Sequence, residues 1–198
     1  MTRIQRIDYP NAIHHVTQRG NDRQLLFETP DDYRVFLETL AECVARYRWL
    51  VLSYCLLPNH LHLLLQTPDA NLSLGMRRLT GSYARQFNTA HDRSGHVFQG
   101  RFESRLIEDE EHLHAALAYI ALNPVRAGLS ATPQDWIWSS HAELAGVRRP
   151  SRLIAQAAVL GRFATRPTTA RARYGRMVQA AADQTEAGAA LACPAGSG

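Results

Sequence analysis

The chain contains no lysine, and all 22 of its basic residues are arginines. A biased base composition of the coding DNA is a sufficient reason, although arginine also binds phosphate and guanine through its planar fork. Only three cysteines occur, Cys43, Cys55 and Cys193, and no two of them form a C-x-x-C pair. This spacing argues against a disulfide framework or a thiolate zinc site, and it is typical of a reducing cytoplasm.

Long hydrophobic runs are also missing. No stretch approaches the roughly 18 apolar residues that a membrane span needs, and no apolar segment follows the first six residues, as a secretory signal would require. We therefore expect a cytoplasmic protein without a membrane partner. The net charge of +4 comes entirely from residues 151–198, with six arginines and two acids, since residues 1–150 are neutral overall. An anionic partner is compatible with this charge, but the charge alone is weak evidence for nucleic acid.

Hydrophobic periodicity predicts the element order β-α-β-β-α-β-α. Strands are predicted over residues 12–18, 50–57, 60–66 and 101–107. The second helix should turn Leu74, Leu79, Tyr83 and Phe87 inward, and Pro124 should stop the third. This order is that of an α+β, ferredoxin-like fold with its helices on one face of the sheet. We expect a domain over residues 1–147 and a C-terminal helical or irregular, partly disordered extension over residues 148–198.

His60 and His62 form an H-x-H pair in the predicted third strand. Side chains two apart on a strand share a face, so both imidazoles should project together while Leu61 and Leu63 enter a core. Paired imidazoles are natural metal ligands, although solvated histidines would give the same pattern. The predicted topology places the first strand beside the third. His14 or His15 should therefore lie next to the pair, and His15 is the candidate neighbour.

Tyr119 and Asn123 lie one helical turn apart on the predicted third helix. A tyrosine hydroxyl on a helix packed across the sheet would point at a metal held by His60 and His62. The Asn123 amide oxygen would be a third ligand. Two imidazoles and one oxygen leave room for water and a phosphate oxygen, which suits Mg²⁺ or Mn²⁺. Tyr119 would then attack a scissile phosphate, although a tyrosine in this pattern, taken alone, is more often a core aromatic.

Five segments in order resemble the REP-associated tyrosine transposases, which are single-tyrosine HUH nucleases related to small single-strand insertion-sequence transposases. The resemblance covers about residues 3–145. The five segments are Val16-Thr17-Gln18-Arg19-Gly20-Asn21, Pro58-Asn59-His60-Leu61-His62-Leu63-Leu64-Leu65, Gly95-His96-Val97-Phe98-Gln99-Gly100-Arg101-Phe102, Tyr119-Ile120-Ala121-Leu122-Asn123-Pro124-Val125-Arg126-Ala127-Gly128 and Trp136-Ile137-Trp138-Ser139-Ser140.

The resemblance implies a nucleoid-associated enzyme that cleaves and rejoins single-stranded DNA at REP-type palindromic hairpins through a 5′-phosphotyrosine intermediate. It implies that Tyr119 is the nucleophile and that His60, His62 and Asn123 bind the metal. The partner would be the hairpin, and the protein a monomer or a homodimer. The alternative is a catalytically silent regulator that binds palindromes or RNA on the same fold.

Three arginines at loop or strand ends near the presumed site are candidates for DNA contact: Arg19, Arg101 and Arg126. Surface ion pairs are an equally good reason for their presence. The arginines beyond residue 150 would either hold a hairpin stem through its phosphates or belong to a loosely ordered tail.

Overall fold

The computed structural model describes the backbone of residues 8–191 and the side chains of residues 8–184. The four strands are β1 (Ala12–Arg19), β2 (Leu50–Leu57), β3 (His60–Thr67) and β4 (Glu103–Ile107). The helices are α1 (Pro30–Tyr47), α2 (Leu72–Ala90), α3 (Glu110–Arg126), α4 (His141–Leu144), α5 (Gln156–Leu160) and α6 (Pro167–Leu191). No helix among these residues is both long and apolar enough to cross a bilayer.

The strands form one antiparallel sheet in the order β2-β3-β1-β4. This order places β1 and β3 side by side at the centre, as the predicted ferredoxin-like topology requires. Strands β2 and β3 form a hairpin whose two-residue turn is Pro58-Asn59. The predicted α+β class and strand order are therefore confirmed.

The two faces of the sheet carry different helices. Helices α1 and α2 pack together, and Gln86 of α2 donates a hydrogen bond to the Thr39 hydroxyl of α1. Gln18 of β1 lines a cavity with residues of α2, which places α2 on the Gln18 face. Tyr119 of α3 contacts His62, which points to the opposite face. The expectation that all helices share one face is therefore wrong for α3, because the histidines alternate with the core leucines of β3.

The sequence determines the start of α1 locally. Thr29 caps the helix, Pro30 occupies its first turn, and Asp32 completes a capping box by accepting hydrogen bonds from the Thr29 backbone and hydroxyl. The helix ends where Arg48 adopts a left-handed conformation. At α3, Asp109 is the N-cap and accepts a hydrogen bond from the His112 backbone. The acidic cluster thus begins this helix, as its position beside the helix dipole predicts.

Two predictions about the helices are wrong in detail. Leu74 is 50% exposed, and the buried face of α2 instead includes Gly75 and Met76 beside the predicted Leu79, Tyr83 and Phe87. Helix α3 does not stop at Pro124 but continues to Arg126. A proline in the last turn removes a single backbone hydrogen bond, which a buried helix tolerates.

Residues beyond 138 cover the outer edge of β2. The backbone of Trp138 accepts a hydrogen bond from Leu56, and that of Ser140 donates one to Tyr54. Further along the chain, Ala155 donates to Val51. These contacts protect an edge strand that would otherwise present unpaired backbone groups. The boundary between a domain over residues 1–147 and an extension over residues 148–198 remains a prediction.

Helix α6 packs against α3, and its Tyr174 is fully buried in the common core. Within the predicted extension, the backbone of α6 continues to Leu191, whereas residues 192–198 lie outside the described part of the chain.

Gly75 permits the close packing of α2 on Trp49. A Cβ at Gly75 would lie 2.1 Å from Trp49 Cζ2 and 2.5 Å from its Cη2. We therefore expect Gly75→Ala to lower the free energy of unfolding by about 1–3 kcal/mol through overpacking, measured by urea denaturation.

Gly81 on the same helix is the matched control, since a Cβ there would meet nothing closer than Arg85 Nη1 at 3.7 Å. Gly81→Ala should stabilise the protein by about 0.5–1 kcal/mol through helix propensity. Equal effects at the two glycines would contradict this account of the α2 packing.

His141 connects α4 to α6 through a 3.0 Å hydrogen bond between its Nδ1 and the Tyr174 hydroxyl. Burial lowers the pKa of His141 to about 4. Between pH 6.5 and 4 the unfolded chain therefore binds a proton at this position that the folded chain does not, so stability should fall as the pH falls. We expect His141→Asn to reduce the slope of unfolding free energy against pH in this window, measured by denaturation at several pH values. An unchanged slope would contradict a neutral buried imidazole.

Candidate active site

A cavity of about 770 Å³ opens on the sheet face that carries the histidines, between the sheet and helices α3 and α6. The central strands contribute imidazole, hydroxyl and guanidinium groups, and α3 contributes a tyrosine. The main polar residues around it are His15, Thr17, Arg19, His60, His62 and Tyr119. The predicted site residues that line the cavity are His15, Arg19, His60, His62, Tyr119 and Arg126.

The antiparallel register of β1 and β3 assembles this group. Thr17 pairs with His62 and Arg19 pairs with His60, so the alternating side chains of both strands reach the same face. Leu61 points the other way and is fully buried, as the H-x-H pattern predicts. The structure also distinguishes the two histidines of β1. His15 faces His62, whereas His14 is directed to Asp8, 3.2 Å away.

Both histidines of the H-x-H pair are oriented by hydrogen bonds at Nδ1. His62 Nδ1 lies 3.0 Å from His15 Nε2 and 3.3 Å from the Thr17 hydroxyl. His60 Nδ1 lies 2.8 Å from the Asn59 amide oxygen, which makes this nitrogen the donor. The His62 Nε2 is buried and has no hydrogen-bond partner among the described residues. An unpaired buried nitrogen is costly unless a ligand uses it.

These imidazoles are held in the neutral form, which is the form that binds metals. Burial is the main reason that the pKa of His62 is lowered to about 3, and the neighbouring His15 and His60 lower it further. Burial, together with the charge of Arg105, lowers the pKa of His15 to about 4. The pKa of His60 is lowered by burial and then by Arg19.

The donor set fits a divalent metal. The ring centroids of His60 and His62 lie 5.2 Å apart. Metal-binding histidines commonly use one ring nitrogen while the other is hydrogen-bonded, and in both residues Nδ1 is hydrogen-bonded. No group of three His, Cys, Asp or Glu side chains within the described residues could hold an ion. A metal here would therefore depend on two imidazoles together with amide, water or substrate oxygens.

Helix α3 places Tyr119 against the histidines of the sheet. Its ring makes edge contacts with His62 and His15, at centroid distances of 5.4 and 5.8 Å. The Arg126 guanidinium lies 5.2 Å from the centre of the same ring. Tyr119 is nevertheless 41% exposed, unlike the core tyrosines Tyr83 and Tyr174. A tyrosine that is exposed beside these histidines is accessible to a large substrate.

The predicted third ligand, Asn123, is placed differently. It is buried and does not line the cavity, and its amide nitrogen donates a 3.0 Å hydrogen bond to the Tyr119 carbonyl one turn earlier. This bond fixes the amide behind Tyr119. A direct role for Asn123 toward a metal remains a prediction.

The three predicted DNA-contacting arginines separate into two groups. Arg19 and Arg126 line the cavity. Arg101 lines a second cavity that also contains Gln18 and α2 residues. Arg101 precedes β4, which begins at Glu103, so strand alternation does not place its side chain with those of Glu103 and Arg105. The expectation that Arg101 lies beside the same site is thus wrong, whereas its contact with DNA remains untested.

Sequence reasoning missed several residues of the cavity. Thr17 could have been found from strand alternation, since it lies two residues after His15. Arg105 and Glu103 of β4 follow from the same argument once β4 is paired with β1. Nothing in the sequence indicates that Gln184 of α6 reaches this cavity, which depends on the packing of α6 against α3.

Comparison with known proteins gives the family. The model of the family described as "Transposase IS200 like" matches residues 8–123, more than half of the chain. A protein of Haemophilus influenzae described as a REP-associated tyrosine transposase is 31% identical over 116 residues. That match covers 53% of this chain and 66% of the relative, just under two thirds of its length.

A solved structure of a REP-associated tyrosine transposase bound to a REP hairpin superposes with a TM-score of 0.63 at 22% identity. The match covers 76% of this chain and 89% of that one, which shows a shared fold. The motif resemblance to REP-associated tyrosine transposases is thereby confirmed. The chain belongs to the IS200-like transposase family.

Proposed function

We propose that this protein cleaves and rejoins single-stranded DNA at REP-type palindromic hairpins, with Tyr119 as the nucleophile and a 5′-phosphotyrosine intermediate. The observation that carries the proposal is the contact of an exposed Tyr119 with the half-buried His15 and the buried His62. Membership of the IS200-like family and the hairpin bound to the structural neighbour support the class of substrate.

In the cleavage step, the Tyr119 oxygen attacks the phosphorus and the bond from phosphorus to the 3′-oxygen breaks. The tyrosine loses its proton, and the departing 3′-oxygen gains one. The 5′-phosphate remains bonded to Tyr119. In the reverse step a 3′-hydroxyl attacks that phosphotyrosine and displaces the tyrosine. One phosphoester replaces another in each direction, so rejoining needs no nucleotide cofactor.

The charges around the cavity suit this chemistry. Arg19, Arg105 and Arg126 line it, and Glu103 is the single acid among the described residues of the lining. This part of the lining is therefore positively charged and can hold the strand by its phosphates. The Arg126 guanidinium lies against the Tyr119 ring, so one of these positive charges is adjacent to the proposed nucleophile. We infer that Arg126 binds the phosphate that Tyr119 attacks.

His60 and His62 would hold a divalent cation, Mg²⁺ or Mn²⁺, with Asn123 as a further candidate. When bound, such an ion polarises a phosphate oxygen and neutralises its developing charge. The protein itself contributes the orientation of both rings. His15 and Thr17 fix His62 through Nδ1, and Asn59 fixes His60 in the same way.

Removing the hydroxyl of Tyr119 should abolish cleavage. We expect Tyr119→Phe to reduce cleavage of a 5′-labelled single strand, carrying the palindromic repeat nearest the gene, by about 10³-fold or more. The covalent adduct carries the unlabelled fragment 3′ of the cleaved bond and is detected as a shift of the protein band on denaturing gels. It should disappear with cleavage, while hairpin binding persists.

Tyr9→Phe is the matched control, since Tyr9 is 47% exposed and does not line this cavity. This variant should retain full activity and the adduct. Cleavage by the Tyr119→Phe variant would contradict the assignment of the nucleophile. Tight hairpin binding without cleavage by the wild type, in either metal, would favour the silent-regulator alternative.

Metal binding should depend on His62. We expect His62→Ala to weaken Mn²⁺ binding at least about tenfold, measured by titration calorimetry, because it removes a buried, preoriented ligand. His96→Ala is the control, since His96 is exposed and does not line the cavity. Unchanged Mn²⁺ affinity in His62→Ala would contradict the proposed site.

A further inference from the structure

A second cavity lies on the opposite face of β1 from Tyr119. It has a volume of about 490 Å³ and is built by Gln18, the first half of α2 and the segment before β4. We propose that this cavity binds an unpaired nucleotide of the single-stranded DNA substrate. The inference rests on the proposed function and adds a binding site for that substrate away from the reacting phosphate.

The lining has the chemistry of an anion site. Arg77 and Arg101 contribute two guanidinium groups, Ser73 and Thr80 contribute hydroxyls, and none of the described residues that line the cavity is acidic. Neither arginine forms an ion pair with any residue in the part of the chain that the structure describes. Unpaired guanidinium groups on one cavity favour a phosphate, which they bind through a planar fork.

Gln18 supplies an independent observation. The residue is 3% exposed, and its Nε2 is buried without a hydrogen-bond partner among the described residues. An unsatisfied buried amide costs stability, and proteins keep such a group only where something else compensates. Because Gln18 lines the cavity, a ligand with a hydrogen-bond acceptor, such as a nucleobase, would satisfy it.

The remaining wall comes from a sequence motif whose residues do not line the Tyr119 cavity. Residues 95–102 carry the family resemblance, and Gly100, Arg101 and Phe102 of this segment line the second cavity. The Gln99 backbone donates a 2.9 Å hydrogen bond to the Arg19 carbonyl, which fixes the segment to the end of β1. Gly100 has φ of +60°, a conformation that favours glycine.

The size and composition of the cavity suit one nucleotide. Its volume lies within the range of small-ligand sites. Phe102 offers an aromatic wall to a base, Gln18 offers an amide for base recognition, and the arginines hold the phosphate. Combining aromatic contacts with basic groups is the usual way of binding single strands. The two cavities lie back to back, since Gln18 and Arg19 are adjacent in β1.

Binding in the absence of cleavage tests this site. The probes are fluorescently labelled eight-nucleotide single strands, measured by anisotropy with Tyr119→Phe protein in EDTA over a series of salt concentrations. We expect Arg77→Gln and Arg101→Gln each to weaken binding about three- to tenfold, and to reduce the slope of log affinity against log salt by about 0.7, the value for one lost phosphate contact.

Two variants separate a binding role from a structural one or a general charge effect. Gln18→Leu should weaken binding while leaving the melting temperature equal or higher, because it removes an unsatisfied buried amide. Arg34→Gln removes the same charge at an exposed ion pair with Asp31 and should leave binding unchanged. Equal losses in Arg34→Gln and Arg101→Gln would overturn the proposal, as would a lower melting temperature with normal binding in Gln18→Leu.

The identity of the ligand is tested by competition. A deoxynucleoside 5′-monophosphate should displace the strand from this site more strongly than inorganic phosphate at equal ionic strength, and the difference should vanish in Gln18→Leu. Equal displacement by both would reduce the site to an anion site and overturn the nucleotide assignment. If the wild type cleaves the strand but the Arg77 and Arg101 variants bind it normally, only the proposal for this cavity is rejected. If the wild type does not cleave but these variants bind more weakly, only the proposed cleavage chemistry is rejected.

Discussion

The register between β1 and β3 determines which side chains meet. In the observed pairing, His60 and His62 face Arg19 and Thr17 on one side of the sheet, while Leu61 enters the core on the other. Slipping either strand by one residue would move its imidazoles into the apolar layer and its leucines or valine into the cavity. The burial of the leucines therefore stabilises the arrangement of the polar site.

Contacts at the edge of the sheet and on its faces support this arrangement. The segments around Trp138 and Ala155 pair with the outer strand β2, so the hairpin that carries the histidines is not a free edge. Helix α3 packs on β2 and β3 and presents Tyr119 over the histidines. The same strand, β1, carries polar residues to both faces, which is why one central strand contributes to two cavities.

Much of this was predictable where the signal is local. Strand alternation gave the shared face of His60 and His62, and helical spacing related Tyr119 to Asn123. The parts that failed depend on tertiary packing. The side on which Arg101 lies follows from how residues 98–102 cross the end of β1, and the persistence of α3 through Pro124 follows from its buried surroundings. The contribution of Gln184 to the cavity has no sequence pattern because it requires α6 to dock.

The docking of α6 has a consequence for the order of synthesis. The histidines and Tyr119 emerge from a ribosome well before Ala181 and Gln184, which form part of the cavity wall. Domains generally begin to fold from the N-terminal side during translation. A nascent chain can therefore bring Tyr119 and the imidazoles together while that wall is still missing, and the cavity reaches its final shape only when α6 has left the exit tunnel.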